Sequence, residues 1–362
     1  MASICTRRLA LRREEDAVVS QIVPGGSREN ESGSLPAQAT VGDVAERILV
    51  ERIMAVCTSA GPAHAPAVII GPGDDAALVR ADDGRTVVTT DIAIEGRHFR
   101  RDWSEAVDIG RRVAAANCAD IAAMGAVPTG LVVALGLPES TEVAWVEQLM
   151  TGLVAEAAVA GASVVGGDVS AADCVIVSVS ALGTLEGRDP VLRAGAAPGD
   201  VVAIAGRLGW AAAGLAVLSR GFRSPRALVD AHRRPQPPYA AGVEAARTGA
   251  HALMDVSDGL LIDAGRMARL SGVDIEIESA ALIVAEPIAS AAAAYNLDPL
   301  QWILGGGDDH ALLAAFAPDT SLPEPFVPIG HVVPAGDSEH PGGVRVDGGL
   351  PEVAGGFEHF RR

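Results

Sequence analysis

Six short acidic segments recur along the chain, each beside glycine, serine or threonine at the end of an apolar run. They are GPGDD (Asp74, Asp75), TTD (Asp91), NCAD (Asp120), GGD (Asp168), DVSDG (Asp255, Asp258) and GGGDD (Asp308, Asp309). Adjacent like charges repel, and a strand end desolvates them further. Such a place calls for an arginine, a helix N-terminus or a bound metal ion. Taken singly, each segment is ordinary turn or capping chemistry. Solvated turns would mix Asn, Ser and Asp, however, whereas a repeated choice of carboxylate suits hard divalent cations. Mg²⁺ binds through one or two carboxylates plus substrate phosphates, and flanking glycines let backbone amides approach phosphate oxygens. Asn117 and Asp120, three apart near a helix end, share one face. These residues point to metal-assisted phosphate chemistry in one acidic cavity.

Composition narrows the choice. The chain has 362 residues, 49% of them hydrophobic, and a formal net charge of −18. That balance argues against a nucleic-acid backbone as partner. The chain contains no lysine. Walker-A phosphate loops, the strand lysine of protein kinases and Schiff-base mechanisms all need that amine, so none operates here. Cys5, Cys57, Cys118 and Cys174 form no CxxC pair. They read as free thiols in a reducing cytoplasm, without a disulfide framework or zinc site. No apolar stretch reads as long enough to span a bilayer, and the arginine-bearing N-terminus lacks signal-peptide features.

The elements that must hold these residues follow from periodicity. Residues 1–38 mix Arg-, Glu- and Gly/Ser/Pro-rich pieces and read as a disordered tail. A helix is expected in 41–56 with Val44, Ile48, Ile53 and Val56 as its apolar stripe. Strands are expected at 67–70, 76–79, 86–90, 129–137, 162–168 and 174–185, with helices at 106–125 and 141–160. The turn-rich, arginine-bearing segment 185–200 reads as a domain boundary. Beyond it come a strand at 201–206, a helix at 209–220, a turn feeding a helix within 251–272, and a strand at 273–279. A C-terminal stretch of short strands closes the chain. The expected fold class is α/β (α+β layered) with two domains, 39–185 and 186–362.

GPGDDAALV, TTDIAIEGRHF, NCADIAAMGA, GGD, DVSDGL and GGGDDHAL, in this order, resemble the thiamine-monophosphate kinase family over roughly residues 41–360. That family shares a superfamily with aminoimidazole-ribonucleotide synthetase, selenophosphate synthetase and a hydrogenase-maturation ATPase. The resemblance implies an N-terminal mixed-sheet domain that pairs in a homodimer and a C-terminal α/β sandwich that completes the ATP and substrate site. It implies direct transfer of the ATP γ-phosphoryl group to thiamine monophosphate, giving thiamine diphosphate, with several Mg²⁺ ions and no catalytic base. Motif by motif, Asp75, Thr89, Thr90, Asp91, Asp120, Asp168, Asp255 and Asp258 would be Mg²⁺ ligands. Gly167, Asp168, Arg193 and Ser257 would contact ATP; His98, Asp308 and Phe357 would contact thiamine monophosphate.

The chain also departs from the family pattern. GGGDDHAL stands where GGEDYEL is usual, so Asp308 is one methylene shorter than glutamate, and His310 and Ala311 replace tyrosine and glutamate. Ala119 replaces the serine before Asp120. The competing readings are another ATP-using superfamily enzyme such as aminoimidazole-ribonucleotide synthetase, or a non-catalytic nucleotide- or metal-binding protein. Selenophosphate synthetase needs a lysine that this chain lacks.

Overall fold

The computed structural model describes residues 36, 38–59, 67–72, 76–336 and 343–351. Asp75, Phe357 and nearly all of the expected tail therefore lie outside the described residues. The first half of the described chain contains α1 (Glu46–Ser59), β1 (Val68–Ile70), β2 (Leu78–Val79), β3 (Val87–Ile94), α2 (Ala106–Ala122), β4 (Val127–Leu137), α3 (Val143–Ala160), β5 (Ser163–Ala171) and β6 (Ile176–Thr184). β1 and β2 pair as a small ribbon, while the other four strands form a sheet in the order β3-β6-β4-β5. β3–β6 and β6–β4 are antiparallel, and β4–β5 is parallel.

The strand period of two decides which face is covered. In β6, Val177, Val179 and Ala181 are fully buried. Their side of the sheet faces α2, and α2 packs closely on α3. The approach of these two helices depends on glycine. A Cβ at Gly110 would fall 2.0 Å from the Leu149 carbonyl oxygen, and one at Gly152 would fall 2.1 Å from that of Val107. The opposite face of the sheet is open: Val88 is 62% exposed, Ile92 52% and Val132 39%.

The second half contains β7 (Val201–Ala205), α4 (Trp210–Ser219), α5 (Arg226–Arg233), α6 (Tyr239–Thr248), β8 (Ala252–Val256), α7 (Leu260–Ser271), β9 (Val273–Ile277), α8 (Glu286–Tyr295), α9 (Leu300–Gly305), β10 (Ala311–Phe316), β11 (Val327–Pro334) and β12 (Val344–Val346). Its sheet runs β12-β9-β11-β7-β10-β8. β7, β8, β9 and β10 are buried on both faces, so they are largely apolar runs, while β11 and β12 are partly exposed. Met254 and Val256 of β8, Ile204 of β7 and Leu313 of β10 pack with Leu260 and Met267 of α7. The alternate residues Leu253, Ala203 and Leu312 pack with Ala241 and Ala245 of α6 and with Ala122 at the end of α2. The end of α2 thus forms part of the second half's core. Arginines add to the seam: Arg233 Nε donates to the Trp103 carbonyl at 2.6 Å, and Arg234 pairs with buried Asp108.

The fold is the expected two-domain α/β arrangement, with four local differences. α1 begins at Glu46 because Thr40 and Asp43 cap a 3₁₀ turn at Val41–Asp43, and Leu49 is its buried residue. Segment 252–256, expected as part of a turn, is strand β8; a short apolar run has no period of its own. The stretch expected as short strands contains α8, built on an alanine-rich run, and the short α9. Finally, α3 is long and apolar enough to span a membrane by composition, with mean hydropathy 1.3 over 18 residues. The sequence reading found no such run. More than half of it is buried inside the protein, as in a core helix.

Candidate active site

The second sheet delivers Asp255 by alternation. Asp255 lies on the same side of β8 as Leu253, the side that packs against the end of α2, where Asp120 sits. β10 runs antiparallel beside β8 with Leu312 opposite Asp255, so the GGGDD loop meets the DVSDG turn at one end of the pair. The Asp308 N–H donates to the Ser257 carbonyl at 2.9 Å. Gly307 makes that approach possible, since a Cβ there would fall 2.2 Å from the Ser257 oxygen. From the first sheet, β3 brings Thr89 and Asp91 on one face, and the Thr89 hydroxyl donates to Asp120 Oδ2 at 2.8 Å.

Asp91, Asp120 and Asp255 therefore come together from three elements of two domains. Their charges are felt. Burial pushes Asp120 up to about 7, and the charges of Asp255 and Asp91 push the same way. Burial raises Asp91 too, with Asp255 adding to it, while His310 and His98 act in the opposite sense. The buried imidazole of His310 lies with Nδ1 3.1 Å from Asp255 Oδ2. Burial opposes its charge, but the hydrogen bond and charge of Asp255, helped by Asp308 and Asp120, hold its pKa above the ordinary value. A histidine hydrogen-bonded to Asp255 thus occupies the site where the resemblance leads one to expect tyrosine.

Around this centre the other acidic residues are tied down. Asp258 pairs with Arg266 at 2.6 Å. Buried Asp263 accepts the N–H groups of Asp258 and Gly259 at 2.9 and 3.2 Å, fixing the turn that carries Asp258. Asp309 is buried; its Oδ1 accepts the Ala211 N–H at 2.9 Å in the first turn of α4. Burial pushes Asp309 up to about 7 against that bond. Asp308, partly open to solvent, accepts from Arg112 Nη2 at 2.8 Å. Burial raises its pKa, but Arg112, with His310 and His232, brings the net value below the ordinary one.

Not all expected site residues join this centre. Thr90 points to the other face of β3, where its hydroxyl donates to the Val179 carbonyl at 3.0 Å. Asp168 pairs through β4 and β6 with Ile92, so it stands three strand spacings, about 14 Å, from β3. With Gly167 it lines a separate cavity of about 990 Å³ between α1, the β1–β2 ribbon and the sheet. Arg193 is exposed in the segment that runs beside β8, where the Leu253 N–H bonds the Leu192 carbonyl at 2.9 Å. His98 Nδ1 accepts the Ile94 N–H at 3.0 Å, just beyond β3. Asn117, expected beside Asp120, donates to the Val113 carbonyl at 2.9 Å, and its buried Oδ1 has no partner among the described residues.

The donor chemistry suits magnesium. The converging side chains offer oxygen donors, and burial, with the neighbouring carboxylates adding to it, raises the pKa values of Asp91 and Asp120, a cost that a bound cation relieves. Among the described residues no group of three His, Cys, Asp or Glu side chains is placed to hold a metal ion by itself. Magnesium needs none, since it keeps several waters and completes its shell with substrate phosphates.

Arg112, His232 and Asp263 were not singled out from the sequence, whereas Asp309 was, in GGGDD. For Arg112 a signal exists: it lies eight residues before Asp120 on α2, hence on the same face two turns away. His232 carries none, because its neighbours are remote in sequence.

Comparison with known proteins agrees with this geometry. Residues 73–185 match the AIR synthase related protein N-terminal domain, and residues 197–318 match the C-terminal domain of the same family. A thiamine-monophosphate kinase of Mycobacterium tuberculosis is 47% identical over 282 residues, covering 78% of this chain and 83% of that protein. The crystal structure of thiamine-monophosphate kinase from Stenotrophomonas maltophilia has a TM-score of 0.73 at 31% identity, covering 85% of this chain and 98% of that one. A structure of AaThiL complexed with AMPPCP and TMP has a TM-score of 0.70 at 32% identity, over 79% and 91% of the two chains. With two matched domains and relatives aligned over most of their length, the chain belongs to the thiamine-monophosphate kinase family of AIR synthase related proteins.

Proposed function

We propose that this protein transfers the γ-phosphoryl group of ATP to the phosphate of thiamine monophosphate, giving thiamine diphosphate with Mg²⁺ as cofactor. The observation that carries the reading is the convergence of Asp91, Asp120 and Asp255 from β3, α2 and β8. Joining two phosphates brings two anions together, and Coulomb repulsion opposes this strongly in a partly dry site. When bound, magnesium supplies the positive charge that offsets this repulsion and aligns the phosphate oxygens. Asp91, Asp120 and Asp255 would hold it, with Thr89 orienting Asp120 through its hydroxyl. The family motifs suggest Thr90, Asp75, Asp168 and Asp258 as further ligands, although Thr90 faces the other side of β3 and Asp168 lies three strand spacings away. The acceptor phosphate is already largely ionised near neutral pH, so no side chain need take a proton from it. His310 sets its Nδ1 against Asp255 Oδ2 and so holds that carboxylate in place.

On the same reading, Gly167, Asp168, Arg193 and Ser257 contact ATP, and His98, Asp308 and Phe357 contact thiamine monophosphate. The open apolar face with Val88, Ile92 and Val132 supports a homodimer paired through the four-stranded sheets. Cys57, Cys118 and Cys174 are free thiols, which supports a reducing cytoplasmic setting. The test is an ATP-consumption assay comparing thiamine monophosphate, thiamine and aminoimidazole precursors at saturating Mg²⁺. Turnover with thiamine monophosphate alone is expected. Turnover with an aminoimidazole precursor, or none with any acceptor, overturns the reading.

A further inference from the structure

We infer that Arg112 is the positioning residue for the substrate-facing carboxylate of Asp308, and that the two recognise the acceptor as one unit. The inference rests on the functional reading above. Asp308 is shorter than the glutamate usual at its position, and it adopts a left-handed backbone with φ +68°. Such a conformation is strained for a non-glycine residue and persists only when its surroundings hold it. Two contacts do so. The Asp308 N–H bonds Ser257, and Asp308 Oδ2 accepts from Arg112.

Arg112 has little freedom to turn elsewhere. Nη2 donates to Asp308 at 2.8 Å, while Nη1 lies 3.2 Å from the His232 carbonyl oxygen and 3.1 Å from His232 Nε2. Burial, then the Arg112 charge, depress His232 to about 3. It is therefore a neutral acceptor, not a second cation competing for Asp308. The guanidinium is thus anchored by one partner and presented to the other, a geometry that a planar fork can make and a single ammonium cannot. Among the described residues Asp308 Oδ1 accepts no hydrogen bond, which leaves one carboxylate oxygen for the acceptor. Asp120 follows Arg112 two turns later, about 12 Å along α2. One helix therefore sets both the reacting centre and the wall of the acceptor pocket.

The experiment measures KM for thiamine monophosphate and for ATP in wild type, Arg112→Ala, Arg112→Lys, Asp308→Asn and the Ala/Asn double variant. Calorimetric titration with thiamine monophosphate alone accompanies it. We expect Arg112→Ala to raise KM and the dissociation constant for thiamine monophosphate about 10-fold or more, with KM for ATP changed less than 2-fold. Arg112→Lys should fall between wild type and Ala, and the double variant should be no worse than the weaker single. An equal rise in both KM values, or additive effects of the two substitutions, overturns the assignment while leaving the functional reading standing. If Arg112→Ala does not fold, the same ratio in Arg112→Lys decides. Wild-type protein that neither binds nor phosphorylates thiamine monophosphate overturns the functional reading, and this inference with it.

Discussion

Replacing Asp120 by Asn should stabilise the metal-free protein and abolish turnover, two effects of opposite sign from one substitution. Asp120 titrates near 7, against an ordinary 3.8, because it is buried beside Asp255 and Asp91. A native carboxyl with a raised pKa binds more protons than the unfolded chain between these values. Its contribution is therefore favourable at low pH and is lost as pH rises through about 7. The shift is roughly three units, each about 1.4 kcal/mol, which sets a ceiling of about 4 kcal/mol. Water penetration and local relaxation return part of this, so about 2 kcal/mol is the expected gain at pH 8. Asn keeps the volume and can still accept the Thr89 hydroxyl bond. In a chain of this size the gain corresponds to about 4 °C in Tm. Thermal unfolding in EDTA at pH 5 and pH 8 reads it: the variant should gain over wild type mainly at pH 8. Added Mg-ATP should then raise wild-type Tm more than that of the variant. Equal Tm values at pH 8 without metal, or wild-type turnover by the variant, would refute the account of Asp120 as a crowded carboxylate that holds a cation.

His98→Ala should raise KM for thiamine monophosphate more than KM for ATP in steady-state kinetics; equal changes would remove His98 from the acceptor pocket. On the proposed sheet-to-sheet pairing, Val88→Arg with Ile92→Arg places two charges on the open face, and light scattering should show dimers for wild type and monomers for the variant. Gly307→Ala forces a Cβ within 2.2 Å of the Ser257 oxygen. It should cost about 2 kcal/mol or more in denaturant unfolding and lower kcat, because the two acidic turns must separate.

The acidic motifs were legible because their chemistry is local: glycine beside aspartate at the end of an apolar run means the same thing wherever the chain goes. For the same reason α2, α3 and the long strands were readable, each with a sustained period. β8 and α8 were not, since a five-residue strand or an alanine run takes its form from what covers it.

What the linear order could not contain is which acidic residues meet. TTD reads as three equivalent neighbours, yet strand alternation turns Thr89 and Asp91 toward α2 and Thr90 toward the open face. GGD looks equivalent to TTD, but three strand spacings keep Asp168 from Asp91. Arg112, alone, reads as a solvated helix charge. Only the docking of α2 against the second sheet brings it to residues 120 and 196 positions further along the chain. Residue types and local spacing therefore settled the kind of chemistry, because electrostatic need is written in composition. Long-range packing decided which groups perform it, because pairing distances depend on faces and registers that no single segment encodes.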